Sequence, residues 1–447
     1  MRAMPWLLGL GLLALVAGFA QAQEDDNDPL VQMILELVGD SDRDMRALGL
    51  QQVREEVPGE AATKKFAELL PTLAADGQAG LLEALGDRQD QAARPAIMDR
   101  LENSEEEAVR AAALRAIGAL GGEEDVALLA AKVGTEAAAE KTAARESLVR
   151  LRGDKINAAV LAELEKGEPA VRVELLGVLA ARNARDTVDT VLNSAADSDA
   201  SVRVAALEAL RYLADANNIA GVIDALKAAG DEVEGRKAEL ALLAVCSRER
   251  QACTDALIAG IEGAEPSARI TLLRAIARAG GPNALDAIVA ALADEDEAVA
   301  DEAVRMLAAW PDAAAAPQLL EIAKKIENER RQVLALRGLV RLGSAVEDKP
   351  ADVELLTQAM ELARRSYEKR QVVGALGGAD SSEALALALS AIDDATTQEE
   401  AGLAVVRIAE NTEDGDQAAI RSAIETVLSK VKSQAVRDRA QKVLAAL

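Results

Sequence analysis

Apolar residues recur along this chain with the spacing of one face of an α-helix, and the pattern itself repeats. In the segment 109–120, an arginine is followed by apolar residues three, four and seven positions later. These offsets fall on one face of a helix with 3.6 residues per turn. Successive copies of this pattern begin about 32 residues apart on average, a period typical of solenoid repeats. Matches to the pattern begin at Arg46, Gln78, Arg110, Ala144, Arg172, Arg203, Arg236, Arg269, Ala300, Gln332, Lys369 and Ala401, with a looser one at Arg437.

A second amphipathic segment precedes each of these helices, and helix-breaking residues separate the two. The segment 284–292 is one example, with Gly280-Gly281-Pro282 before it and Asp294-Glu295-Asp296 after it. Glycine ends helices at little cost, and aspartate caps their first turn. We therefore predict an all-α solenoid over residues 29–447, made of about 13 two-helix repeats. A long coiled coil is excluded because it needs an unbroken heptad pattern.

The amino-acid composition excludes several kinds of catalytic and metal-binding site in the predicted solenoid. Half of the 447 residues are hydrophobic but only 1% are aromatic, so alanine and leucine form the apolar faces. The absence of histidine excludes histidine general bases, histidine-containing catalytic dyads and histidine metal ligands. Two cysteines are too few for a disulfide scaffold or a four-cysteine zinc site. We expect no catalytic residues, no cofactor and no metal.

The chain is strongly acidic. It carries 50 lysines and arginines against 76 aspartates and glutamates, a formal net charge of −26. This balance argues against a nucleic-acid partner, which requires a basic surface to meet the phosphates. Two other interpretations stay open, namely long-range attraction of basic partners and adaptation to high salt.

The first residues have the pattern of an export signal. Arg2 precedes an apolar run from Trp6 to Ala20, and Ala20-Gln21-Ala22 matches a signal-peptidase site. The run is about 15 residues long and shorter than the roughly 20 that span a bilayer, although an uncleaved anchor is the alternative. We predict a signal peptide at 1–22, a short acidic lead-in at 23–28, and a periplasmic or secreted protein without a membrane span after cleavage.

The repeated phrase resembles the short HEAT-like repeats that are also found in bilin lyases. Asp199-Ala200-Ser201-Val202-Arg203 and Glu107-Ala108-Val109-Arg110 carry the resemblance most clearly, and Glu168-Pro169-Ala170-Val171-Arg172 is similar. The resemblance implies a structural role for these residues, with the valines in the core and the acidic residues and arginines in a ladder between repeats. It covers nearly the whole chain after residue 28.

Known enzymes built on such repeats do not fit this sequence. Deoxyhypusine hydroxylases bind iron through histidine and glutamate, and this chain has no histidine. Bilin lyases are intracellular and bind a large aromatic pigment, which the predicted leader and the scarcity of aromatic residues disfavour. HEAT-like DNA glycosylases use basic, aromatic grooves. The resemblance therefore implies the fold and leaves the function open.

Arginines occupy the exposed offsets of three consecutive second helices. Offsets +5 and +9 from the repeat anchor point away from the core, and in solenoids of this kind the second helices line the concave face. We consider two interpretations: a stripe that binds an acidic segment by charge-assisted hydrogen bonds, and arginines that pair with Asp301, Glu302 or Glu329. The residues of this stripe are Arg274, Arg278, Arg305, Arg337 and Arg341.

Cys246 and Cys253 flank a predicted turn between two repeats. In an oxidising compartment they are placed to form a disulfide across this turn. A pair of buried thiols is the other interpretation, because Cys246 takes a position that is leucine in other repeats.

The tract from Asp40 to Asp44 resembles the start of a calcium loop. It lacks the glycine and the bidentate glutamate that such a loop needs at its sixth and twelfth positions, where Met45 and Gln51 stand. We interpret the tract as a capped turn before a helix.

These observations favour a non-catalytic scaffold or adaptor outside the cytoplasm that binds another protein through the solenoid surface. The alternatives are a lyase-like enzyme or enzyme subunit built on the same repeats, and a carrier of a small anionic or metal ligand.

Overall fold

The computed structural model describes residues 29–325, 328–347, 349–412 and 416–447. Within these residues the chain forms 26 α-helices and no β-strand. The predicted leader at 1–22 and the lead-in at 23–28 lie outside the described residues. The helices belong to two compact units, Met1–Leu213 and Ala214–Leu447, and each is described by itself.

The described part of the first unit contains twelve helices arranged as successive antiparallel pairs. They are α1 (Pro29–Gly39), α2 (Arg43–Glu55), α3 (Glu60–Glu68), α4 (Ala75–Arg88), α5 (Arg94–Asn103), α6 (Glu107–Leu120), α7 (Val126–Val133), α8 (Ala138–Arg150), α9 (Ile156–Lys166), α10 (Pro169–Ala181), α11 (Val188–Ser194) and α12 (Ala200–Leu213).

The described part of the second unit contains fourteen helices in the same arrangement. They are α13 (Ile219–Lys227), α14 (Glu232–Glu249), α15 (Thr254–Gly260), α16 (Pro266–Ala279), α17 (Pro282–Ala290), α18 (Glu297–Ala308), α19 (Ala316–Lys324), α20 (Glu329–Gly343), α21 (Val353–Leu362), α22 (Ser366–Leu376), α23 (Ser382–Ser390), α24 (Gln398–Asn411), α25 (Gln417–Lys430) and α26 (Gln434–Ala446).

The predicted repeat pattern is confirmed in full. Each of the thirteen anchor positions falls on an even-numbered helix, from Arg46 on α2 to Arg437 on α26. The positions three, four and seven residues after Arg110 are Ala113, Leu114 and Ile117, and all three are at most 1% exposed. The chain is an all-α solenoid of two-helix repeats.

Within each unit, consecutive even-numbered helices pack side by side and form one continuous layer. Small residues allow the closest approach, between α4, α6 and α8. A Cβ atom added to Gly86 would lie 2.7 Å from Cα of Ala116, and one added to Gly118 would lie 2.5 Å from Cβ of Ser147. The abundance of alanine and glycine therefore has a steric cause, since larger side chains would push these helices apart.

The anchor arginines connect each repeat to the next. The guanidinium of Arg110 donates to the carbonyl oxygens of Ser104 (2.8 Å) and Glu105 (2.9 Å) in the turn before its own helix. Its Nε lies 2.6 Å from Oε1 of Glu140 in the following repeat. Arg269 makes the equivalent contacts with Ala264 and Asp294. The role in a ladder between repeats that the resemblance implies is thus observed directly.

A second set of arginines caps the ends of helices in the preceding repeat. Arg182 follows α10 and donates through Nη1 to the carbonyl oxygens of Leu148 (2.8 Å), Val149 (2.9 Å) and Leu151 (2.9 Å), at the end of α8. Arg88 at the end of α4 makes similar bonds. The last four carbonyls of a helix lack partners within it, so these side chains satisfy groups that would otherwise be left unpaired.

Replacing Arg182 tests this capping role. We expect Arg182→Ala to lower the free energy of unfolding by about 2–3 kcal/mol, because three carbonyl groups lose their donor. Urea denaturation followed by circular dichroism measures the change. Arg152→Ala is the matched control, since Arg152 is exposed and the structure assigns it no hydrogen bond or ion pair among the described residues; its unfolding midpoint should match that of the unmodified protein. Equal midpoints for both variants would refute the capping role.

Candidate functional site

The predicted arginine stripe lies in the second unit, on three neighbouring even-numbered helices. Arg274 and Arg278 are on α16, Arg305 is on α18, and Arg337 and Arg341 are on α20. Arg274 is half-buried and the other four are exposed. Offsets +5 and +9 therefore identified positions on the accessible side of the layer of even-numbered helices. The five guanidinium groups nevertheless differ in what they contact.

Arg274 and Arg305 are neutralised by carboxylates. Nε of Arg274 lies 2.7 Å from Glu302 and its Nη1 lies 3.0 Å from Glu239. The hydrogen bond with Glu302 raises the pKa of Arg274. Arg305 pairs with the other oxygen of Glu302, whose side chain is only 3% exposed. For these two arginines, the pairing with Glu302 that the sequence allowed as an alternative is what the structure contains.

Arg278 and Arg341 bind uncharged groups of the neighbouring repeat. Nε of Arg278 donates to the hydroxyl of Ser247 at 2.9 Å. Arg341 donates to the carbonyl oxygens of Ala308 (3.2 Å) and Trp310, at the end of α18. Arg341 therefore belongs to the capping set described above, which limits its freedom to bind a ligand.

Arg337 differs from the other four members of the stripe. It is exposed, and it makes no hydrogen bond or ion pair with any residue that the structure describes. Arg330, two turns earlier on α20, has the same properties. Asp301 and Glu329, the other acceptors considered from the sequence, pair instead with Arg331 and Arg365.

Two open clefts flank Arg337, and both are lined by it. The first has a volume of about 580 Å³ and the second about 510 Å³. The charged residues that line the two clefts are four arginines and one glutamate. That glutamate, Glu329, already pairs with Arg365. We call this surface the arginine clefts; its members used below are Arg305, Arg330, Val333, Leu334, Arg337, Val340 and Arg341.

The first unit has two further clefts that the sequence analysis missed. They lie on α8, α10 and α12, have volumes of about 520 and 610 Å³, and share Arg145, Glu174 and Ala181. Their charges balance, as Lys141 lies 3.0 Å from Glu174. A sequence signal existed, because a glycine such as Gly177, half-buried on α10, leaves open space where a side chain would lie.

The cysteine pair and the acidic tract are both inside the described residues. Cys246 and Cys253 are buried free thiols, and the disulfide stays a prediction for the oxidised protein. Asp42 caps α2 by accepting from the backbone amides of Asp44 (2.8 Å) and Met45 (3.2 Å), as the capped-turn interpretation requires. Among the residues that the structure describes, no three cysteine, aspartate or glutamate side chains converge as a metal site would require.

The repeat architecture and its arginine ladder agree with a known family. The sequence matches the HEAT repeats family over residues 63–149 and 254–339. These two segments of the chain therefore have the sequence pattern of HEAT repeats. No curated protein sequence matches the chain.

Solved structures show the same fold in larger proteins. The karyopherin Kap121p bound to the extreme C-terminus of the protein phosphatase Cdc14p is 13% identical, with a TM-score of 0.53. The alignment covers 97% of this chain and 55% of that chain. Kap121p bound to Nup53p is 14% identical with a TM-score of 0.52, covering 97% of this chain and 56% of that chain. The chain thus spans about half the length of these neighbours, and the likeness concerns the fold alone.

In the described ranges, no helix of the chain is both long and apolar enough to cross a bilayer.

The difference between paired and unpaired arginines predicts effects of different size on stability. We expect Arg274→Ala to destabilise the fold by about 1–2 kcal/mol, because Glu302 then remains buried with one partner fewer. Arg337→Ala should change stability by less than about 0.5 kcal/mol, as is usual for exposed residues without contacts. Thermal and urea unfolding of the two variants side by side measure this. A loss of stability in Arg337→Ala similar to that in Arg274→Ala would show that Arg337 has a structural partner.

Proposed function

We propose that this helical-repeat protein is a non-catalytic scaffold or adaptor that binds a partner protein through its even-numbered helices. The support is the shape and chemistry of that helix layer, which presents open clefts in each unit. Open clefts on a rigid repeat scaffold are well suited to binding an extended segment of another protein.

The observation that carries this proposal is the position of Arg337 between two clefts, without a carboxylate partner among the described residues. Four arginines line these clefts in a chain whose net charge is −26. Because exposed cations without partners gain most from a ligand that brings carboxylates, we propose an acidic segment as the bound element.

The apolar side chains of the clefts define the segment further. Arg330, Leu334, Arg337 and Arg341 are spaced by four, three and four residues, so they lie along one face of α20. Arg330 and Arg337 are about 10 Å apart along the helix axis, from the rise of 1.5 Å per residue. We propose that the segment alternates acidic and apolar side chains, with carboxylates at Arg330 and Arg337 and an apolar residue against Leu334.

Binding of a defined peptide tests the arginine clefts. The probe is a fluorescein-labelled peptide of about ten residues that alternates glutamate and leucine, measured by fluorescence anisotropy on the chain that begins at Gln23. We expect Arg330→Glu combined with Arg337→Glu to weaken binding at least tenfold, which corresponds to about 1.4 kcal/mol. Affinity should also fall as salt rises, since the contacts are exposed ion pairs.

A matched charge reversal makes this test specific. Arg421 on α25 is exposed, lies outside the clefts and has no partner among the described residues. Arg421→Glu makes the net charge more negative, as each substitution of the double variant does, but it should leave peptide binding unchanged. Equal affinity of the double variant and the unmodified chain, or equal binding of a peptide with lysine in place of glutamate, would contradict the proposal.

We also propose that the protein acts in the periplasm or outside the cell. The support is the leader pattern of residues 1–22, with its Ala20-Gln21-Ala22 site. Expression of the full sequence in a bacterium with a periplasm should yield a protein in the periplasmic fraction whose N-terminal residue is Gln23. Ala20→Lys combined with Ala22→Lys should block processing. A protein that retains Met1–Ala22 and stays in the cytoplasmic fraction would overturn this assignment.

A further inference from the structure

The two cysteines of the chain lie together in the interior of the second unit. Cys246 is in the last turn of α14, and Cys253 ends the short 3₁₀ turn of residues 250–253 that follows. Both side chains are 0% exposed. The sequence contains no other cysteine, so any disulfide within one chain must join these two.

The side chains of the two cysteines lie close enough to interact with each other. Burial raises the pKa of Cys246 to about 12, and the neighbouring Cys253 adds to this. Burial also raises the pKa of Cys253. Both thiols are therefore poor nucleophiles while they are buried.

The turn that holds the thiols is anchored on both sides. Arg248 donates to the carbonyl oxygen of Ala214 at 2.7 Å, and the hydroxyl of Thr254 donates to the carbonyl oxygen of Gly280 at 2.7 Å. These bonds tie the turn to the repeat before it and to the repeat after it. An oxidant can reach the sulfurs only if these contacts open, because neither sulfur is accessible in the folded chain.

We propose that Cys246 and Cys253 form a disulfide site that reacts only before the α14–α15 turn has folded. The oxidant is a disulfide, either a low-mass one such as oxidised glutathione or that of a thiol–disulfide oxidoreductase. An exported chain meets such oxidants while it is still unfolded, whereas a chain that folds in a reducing compartment buries its thiols first. This inference is independent of the arginine clefts and of their ligand.

The reaction proceeds by two exchanges. In the unfolded turn, the thiolate of one cysteine attacks the oxidant disulfide, forms a mixed disulfide and releases one thiolate of the oxidant. The thiolate of the other cysteine then attacks the protein sulfur of the mixed disulfide, which forms the Cys246–Cys253 bond and releases the second thiolate. The protein loses two protons and two electrons, and the oxidant is reduced to two thiols.

As a consequence, the oxidation state of the two cysteines in the folded chain depends on whether an oxidant was present while the chain folded. Once the turn is closed, the reduced form resists oxidation and the oxidised form resists reduction, because the same burial protects the thiols and the disulfide. The bond joins two positions that are already in contact, so the surrounding repeats need not move.

The experiment compares folded and unfolded protein in one oxidant. The reduced chain that begins at Gln23 is incubated with oxidised glutathione, either folded in buffer or in 6 M urea followed by refolding. Samples are then denatured, alkylated with N-ethylmaleimide and weighed by mass spectrometry. We expect oxidation in urea to be at least a hundredfold faster, giving a product two hydrogens lighter with no alkyl group added. The folded sample should gain two alkyl groups.

Two controls complete the design. Cys246→Ser should trap Cys253 as a mixed disulfide with glutathione in urea, which confirms the mixed-disulfide step without requiring the variant to fold. The thiol reagent 5,5′-dithiobis(2-nitrobenzoate) should react with the folded reduced protein as slowly as oxidised glutathione does. Oxidation of the folded protein at the rate seen in urea would overturn the requirement for an unfolded turn. Two alkylated cysteines after oxidative refolding would overturn the disulfide itself.

Discussion

The fold depends on arginine side chains that cross from one repeat to the next. Each two-helix repeat ends in backbone carbonyls that its own helices cannot satisfy, and it packs only against its neighbours. Arg88 and Arg182 donate to the terminal carbonyls of the preceding even-numbered helix, while Arg110 and Arg269 join a turn to a carboxylate one repeat later. The repeat period sets these contacts, since donor and acceptor are one repeat apart.

This constraint also decides which arginines are left to bind a partner. Arg274 has Glu239 in the preceding repeat and Glu302 in the following one, so both neighbours supply a carboxylate. Arg337 has Ala303 and Gln371 at the equivalent positions, and neither can neutralise it. The arginine clefts therefore arise where the ladder lacks acidic members. An exposed arginine on such a surface is informative only after its neighbours one repeat away have been checked.

The sequence predicted the repeats more completely than the site. Thirteen anchors could be placed because period and apolar offsets are local properties, and every anchor lies on an even-numbered helix. The contacts of Arg341 could not be predicted, because its acceptors are backbone carbonyls, which no side-chain pattern reveals. Arg330 precedes the anchor Gln332, so offsets counted forward from that anchor do not include it. The division into two units also left no mark in composition, since the repeat pattern continues across Leu213 and Ala214.

The acidic composition has a structural explanation that requires neither a basic partner nor adaptation to high salt. An array of this length has many helix starts, and aspartate caps them well. Asp42, Asp231, Asp296, Asp352 and Asp416 each accept backbone amides at the start of a helix. Charges of this kind are fixed at turns, and salt screens them beyond about 8–10 Å. A net charge of −26 is therefore compatible with an acidic ligand at the arginine clefts, because the ligand meets the local arginines rather than the total charge.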